Sequence, residues 1–188
     1  MNAPAELDVT AVEAATRRWL ERAVIGLNLC PFAKAVHVRS QVRIVVSDAG
    51  SESALLAQLG EELLHLRDTP ADLVDTTLLV HPLLLDDFLD YNDFLDLADA
   101  LLVELALDGE IQIASFHPRY QFADTEPDDV ENLTNRAPFP ILHLLREDSV
   151  ERAVAAYPEP DAIIERNIAT VRELGHAGWK RLLEGPES

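Results

Sequence analysis

The sequence predicts an α/β (or α+β) fold: a four-stranded, mostly parallel or mixed sheet flanked by about five helices, in a single domain over residues 8–183 with flexible tails at 1–7 and 184–188. Three observations predict it. Four short runs rich in aliphatic and β-branched residues read as strands. Stretches with apolar residues at helical spacing separate the first three of these runs. A chain of 188 residues, 48% of them hydrophobic and only 7 of them glycine, can bury a core without a disulfide or a metal to staple it.

In chain order, Thr10-Ala-Val-Glu13 reads as a capping box, and Val12, Ala15, Trp19, Ala23 and Leu27 follow at helical spacing. The first helix is therefore expected to run to about Leu27 and to stop before Pro31, which disfavours the α conformation at Cys30. Six β-branched residues between Val36 and Val46 predict a strand with an irregular start near Arg39. Ser51 opens a helix to about Arg67, and Thr76–His81 is a second strand closed by Pro82. Leu84, Phe88, Tyr91, Leu95, Ala98, Leu102 and Leu105 alternate steps of four and three, the clearest helical pattern in the chain. Ile111–His117 is a third strand closed by Pro118. Residues 119–140 have no period and read as a long loop with a short helical turn near Asp129. Ile141–Arg146 is a fourth strand, Asp148 starts a helix ending before Pro158, and a last helix runs from about Pro160 or Asp161 past Trp179.

Two strand-helix-strand units in succession favour parallel pairing of the first three strands, with all their carboxyl ends at one edge of the sheet. Those ends are Ser47-Asp48, His81-Pro82 and His117-Pro118. In open α/β sheets that edge is where ligands bind.

Composition excludes some functions. A formal charge of -19 argues against nucleic-acid partners, since counterion release needs many Lys and Arg on one face. The exception is Arg17–Arg43, where six basic residues face the single acid Glu21; this is either a solvated face paired with acids elsewhere or an anion-attracting edge. The amino terminus lacks a basic leader region and no apolar run reaches the roughly 18 residues of a membrane span, so the expectation is a cytoplasmic chain with no membrane partner. Cys30 is the only cysteine, which suits a reducing compartment.

His81 and His117 hold equivalent places, each the last residue of a strand before a proline. They would lie roughly 5 Å apart on neighbouring strands, or about 10 Å with one strand between them. Either spacing allows a shared ligand or a divalent metal; the plainer reading is that each ring caps its strand on local backbone. His143, mid-strand in an apolar run, is a core histidine or a third ligand. Cys30 is a small apolar residue or a nucleophile in need of a base. Arg119 and Arg136 on the long loop could clamp a carboxylate or phosphate, with Tyr120 and Asn135 orienting it, or could tie the loop to the acidic body. Asp86, Asp87, Asp90, Asp93, Asp96 and Asp99 read as a hydrated acidic face rather than a cation site, since they lack the alternating spacing of a calcium-binding loop. Glu165 and Asn167 are surface residues or contributors to a pocket.

The segments GLNLCPFAKAV, TTLLVHP, DDFLDYNDFLDLADALL, QIASFHPRYQFA, DVENLTNRAPFPILHLLRE and ERNIATVRELGHAGW resemble the bacterial family catalogued as domain of unknown function 1415, from about Thr16 to Leu183. The resemblance implies one unit over nearly the whole chain and carries over no site residue. The residues themselves lead to the expectation of a small-molecule enzyme, a hydrolase or group transferase. It would act on an anionic substrate at the carboxyl edge beneath the long loop, with His81, His117 and Cys30 catalytic. A non-catalytic small-anion-binding or protein-interaction module is the alternative.

Overall fold

In the computed structural model the described residues are 7–184. Most of the two expected tails, 1–6 and 185–188, lies outside them. Leu7 packs against the core and Glu184 closes the last helix.

The arrangement is α+β, with four strands in one mixed sheet. β1 (Val42–Val46) pairs parallel with β2 (Thr76–Val80). β4 (Ile141–Arg146) lies antiparallel to both β2 and β3 (Ile111–Phe116), giving the order β1-β2-β4-β3. The first three strands thus share a direction, and their carboxyl ends do lie at one edge. The last strand is inserted between the second and third, so His81 and His117 are two strands apart rather than neighbours.

Period-two alternation sends successive residues of each strand into two separate cores. On one face Leu79, Leu142 and Leu144 meet α3 (Glu52–Asp68) and α4 (Phe88–Glu104). α3 is capped by Ser51, whose hydroxyl accepts from the Ala54 N–H, and it buries Leu55, Leu59, Leu63 and Leu66 completely at steps of four and three. Replacing Leu59 by alanine there would cost about 3 kcal/mol. On the other face Leu78, Val80 and Ile141 meet α1 (Val9–Trp19) and the last helix, α6 (Ala162–Glu184).

Three local outcomes differ from the sequence expectation. Asp8 rather than Thr10 caps α1, its carboxylate accepting from the Ala11 N–H at 2.9 Å. After Trp19 the helix widens into a π-helical segment, Leu20–Ile25, in which the Gly26 N–H reaches back five residues to the Glu21 carbonyl at 3.0 Å. Val36 and Val38 fall in a short helix, α2 (Ala33–Val38), and the left-handed Ser40 (φ 59°) turns the chain into β1. β-propensity yields here because neither valine has a partner strand to pair with.

The long loop ends in a 3-10 helix, Val130–Asn135, and leads to β4, which is followed by α5 (Glu147–Ala155). The loop is pinned by Asn132, whose side chain is 0% exposed; its Oδ1 accepts from the Phe122 N–H at 2.9 Å and its Nδ2 donates to the Glu126 carbonyl at 2.8 Å. α6 is broken at Gly175, which takes φ 65° and ψ 173°. No helix among the described residues is long and apolar enough to cross a membrane.

Candidate functional site

His81 and His117 emerge from β2 and β3 on the face covered by α4, and Tyr91 of that helix lies against both. Its ring centroid is 5.8 Å from that of His81 and 5.0 Å from that of His117. The Tyr91 hydroxyl donates to the Ile141 carbonyl at 2.7 Å, at the start of the strand that separates the two histidines. The rings therefore share one neighbour, inside a packed core.

The partners of His117 fix its tautomer. Nδ1 accepts from the Arg119 N–H at 2.9 Å, so Nε2 carries the proton and donates to the Leu85 carbonyl at 2.9 Å. Both nitrogens are committed to local backbone, and burial holds the ring below the ordinary histidine pKa. His81 donates from Nδ1 to the Leu84 carbonyl at 3.3 Å, while its buried Nε2 has no partner among the described residues. Burial pushes its pKa down to about 4. Two neutral rings that tie the turn after β2 to the sheet correspond to the strand-capping alternative.

His143 points to the opposite face, near Phe116, and contacts the Thr76 hydroxyl at 2.8 Å. That hydroxyl donates to the Leu144 carbonyl, so the His143 Nε2 must carry the proton. The three imidazoles expected as a metal set thus do not converge: two lie on one side of the sheet and one on the other. Among the described residues no group of three or more His, Cys, Asp or Glu is placed to hold a metal ion.

The expected arginine clamp is not assembled either. Arg119 is half exposed and pairs with Asp86 at 3.0 Å. Arg136 donates to the carbonyls of Tyr120 at 3.2 Å and Pro127 at 2.5 Å, which fastens the long loop. Tyr120 packs between Phe88 and Phe122, with centroid distances of 5.1 and 5.0 Å. In the basic amino-terminal stretch, Arg17 pairs with Glu13 and Arg43 makes a two-pronged contact with Glu62, 3.0 Å at each prong.

A cavity of about 480 Å³ does lie beneath the long loop, but on the face away from the paired histidines. Phe116, the last residue of β3, lines it from the sheet, and Val24, Leu29 and Cys30 form one wall. The π-helical segment builds that wall. Its widened turn leaves the Val24 carbonyl free to accept from both the Leu29 and Cys30 N–H groups, at 2.9 and 3.3 Å, which swings Cys30 toward the cavity. π-helical turns recur at functional sites for this kind of local reshaping. The opposite wall comes from the loop and the 3-10 helix, through Phe122, Thr125, Glu131, Thr134 and Asn135. Ile164, Asn167 and Ile168 of α6 close it over the top.

Of the residues singled out in the sequence, Cys30, Asn135 and Asn167 meet at this cavity; His81, His117, Arg119, Tyr120 and Arg136 do not line it. Burial pushes the Cys30 thiol up, outweighing the Phe32 and Ala33 N–H groups that favour the thiolate. Among the described residues no histidine acts on its sulfur. Nothing in the sequence marks Val24, Leu29, Phe116 or Ile168, because apolar residues at helix and strand spacing look the same whether they face a core or a cavity.

A family model described as a protein of unknown function (DUF1415) matches residues 11–181 of the 188. The chain belongs to the DUF1415 family. The match takes in every segment that lines the cavity and both strand-end histidines. No curated protein and no solved structure matches the chain.

Proposed function

We propose that this DUF1415 chain binds a small, largely apolar molecule in the cavity beneath the long loop. The observation that carries the reading is the cavity itself. Its volume of about 480 Å³ falls within the range of ligand sites, and its walls are mostly aliphatic and aromatic with a few polar groups between them. Four separate stretches of chain contribute to it, and the long loop that covers it is tied down by the fully buried Asn132. Compact domains seldom keep a loop of that length without a binding or covering role.

This reading retains the small-molecule ligand and the loop cover expected from the sequence. It moves the site away from the imidazoles and arginines. Cys30 serves as part of the wall, because burial keeps its thiol protonated and no base is bonded to it. A reducing, cytoplasmic setting suits an unpaired thiol in that position.

The experiment is a ligand-observed NMR screen of apolar fragments against the wild-type chain and against Ile168→Trp, whose larger side chain fills the space under α6. Fragments that bind the wild type and are lost from the folded variant support the reading. Hits that bind both chains equally place the site elsewhere.

A further inference from the structure

The longest stretch of the described chain without a buried residue is the one that roofs the cavity. From Glu147 to Thr170, through α5 and the amino-terminal part of α6, no residue is buried. Elsewhere every helix of comparable length sets at least one side chain fully into a core.

Both ends of the stretch are made fast. At its start the Glu147 N–H donates to the Glu110 carbonyl at 2.9 Å, and the Ser149 hydroxyl donates to the Asp75 carboxylate at 2.7 Å. At its end Val171 is 0% exposed, Arg172 reaches the Glu131 carboxylate at 3.0 Å, and the His176 Nε2 donates to the Asp128 carbonyl at 2.8 Å.

Between Ser149 and Val171, the hydrogen bonds and ring contacts that lead out to the rest of the described residues come to two. Asn167 donates to the Leu29 carbonyl at 2.7 Å, and the Tyr157 ring stands edge-on to Phe32 with centroids 5.7 Å apart. Both land on Leu29–Phe32, the turn that carries Cys30. Tyr157 is braced from within the stretch by Arg166, which donates to its hydroxyl at 2.6 Å and lies 5.6 Å from its ring centroid. Pro158 and Pro160 stiffen the connection between α5 and α6, so that the two helices move together.

A segment with little burial and few ties opens at a much lower free energy than the core. We infer that residues 150–170 form a flap that opens as one unit, clasped to the Leu29–Phe32 turn by Tyr157 and Asn167, and that a guest in the cavity holds it down. Ile164 and Ile168 face the cavity from the flap, Val24 and Phe116 from the body. Ile164 lines the cavity yet remains 70% exposed, an apolar side chain waiting at the mouth. A molecule touching both sides adds contacts that exist only while the flap is down, and so depletes the open form. The holding by a guest rests on the cavity being the binding site; the flap itself rests on the fold alone.

Residue-resolved hydrogen exchange of the full chain tests both parts. After correction for intrinsic rates, amides of Val150–Ala155 and Ile163–Ile168 are expected to exchange alike, and about a hundredfold or more faster than those of Leu59–Leu66 in α3. Tyr157→Ala should speed both sets together by about tenfold and leave α3 unchanged. Saturating 2-naphthol should slow both sets in the wild type. Protection equal to that of α3, or an acceleration confined to the amides beside residue 157, would overturn the flap. Bound 2-naphthol that slows neither set would overturn the holding by a guest. If 2-naphthol does not bind, that holding and the cavity reading fall together, and a matched response of the two sets to Tyr157→Ala still supports the flap.

Discussion

Asn167 of α6 donates to the carbonyl of Leu29 at 2.7 Å, across 138 residues of sequence. The bond fastens the roof of the cavity to the wall that carries Cys30. It links one apolar helix face, which any core would need, to a turn whose shape depends on the π-helical segment before it.

Removing that bond should loosen the roof. Asn167→Ala is expected to cost about 1 kcal/mol of stability, the net value of one part-buried hydrogen bond, and to speed alkylation of Cys30 in the folded protein. Urea unfolding and the rate of reaction with a maleimide check the two halves. A variant that loses stability while its thiol reacts no faster would show that the bond braces the fold without closing the cavity.

Gly26 ends the π-helical segment, and a Cβ added there would collide with the Arg22 carbonyl oxygen. Gly26→Ala must therefore shift backbone, at a cost of roughly 1–3 kcal/mol. The displacement should be felt at Leu29 and Cys30. Amide chemical shifts of those two residues, compared with those of β2, give the measurement; changes spread evenly through the sheet would contradict a local role for the wide turn.

The strand-end histidines make the fold sensitive to acid. Burial lowers His81 to about 4 from the unfolded value of 6.5 and lowers His117 in the same direction. Between those limits the unfolded chain binds a proton at His81 that the folded chain refuses, and His117 acts in the same sense. Stability is thus full above about pH 6.5 and falls as pH drops through the window, by about 3 kcal/mol for His81 alone. Carboxylates titrate in part of the same range, so His81→Phe isolates the histidine. It keeps a flat ring against Tyr91, removes the unpartnered Nε2, and should lose less stability than wild type between about pH 7 and pH 5. Parallel urea-unfolding curves for the two proteins would refute the assignment.

The sheet was legible in the sequence because its signals are local: β-branched and aliphatic runs ended by Pro82 and Pro118, and helices between them at clean spacing. Strand order was not. Nothing in Ile141–Arg146 itself says that it inserts between β2 and β3, since that is decided by how the apolar faces of several elements pack together. The two histidines were found at the right edge for a physical reason, namely that a residue before a proline ends a ladder. Their role depended on partners, the carbonyls of Leu84 and Leu85, that no spacing reveals.

Cys30 stands out as the only cysteine, Asn135 as a polar residue of the long loop and Asn167 as a surface or pocket residue of the last helix, yet their convergence needed the fold. The π-helical segment was hidden because its sequence continues the helical apolar pattern of α1. The long loop was correctly conspicuous by its lack of period. Its arginines misled the clamp reading, since a guanidinium that fastens backbone carbonyls and one that awaits an anion look identical in sequence.

The most direct test of the cavity as the binding site is to map where a bound molecule sits. With 2-naphthol added to methyl-labelled protein, intermolecular nuclear Overhauser effects are expected to the methyl groups of Val24, Leu29 and Ile168. Effects confined to the exposed Leu89, Leu97 and Val103 of α4, with none at those three, would contradict the account.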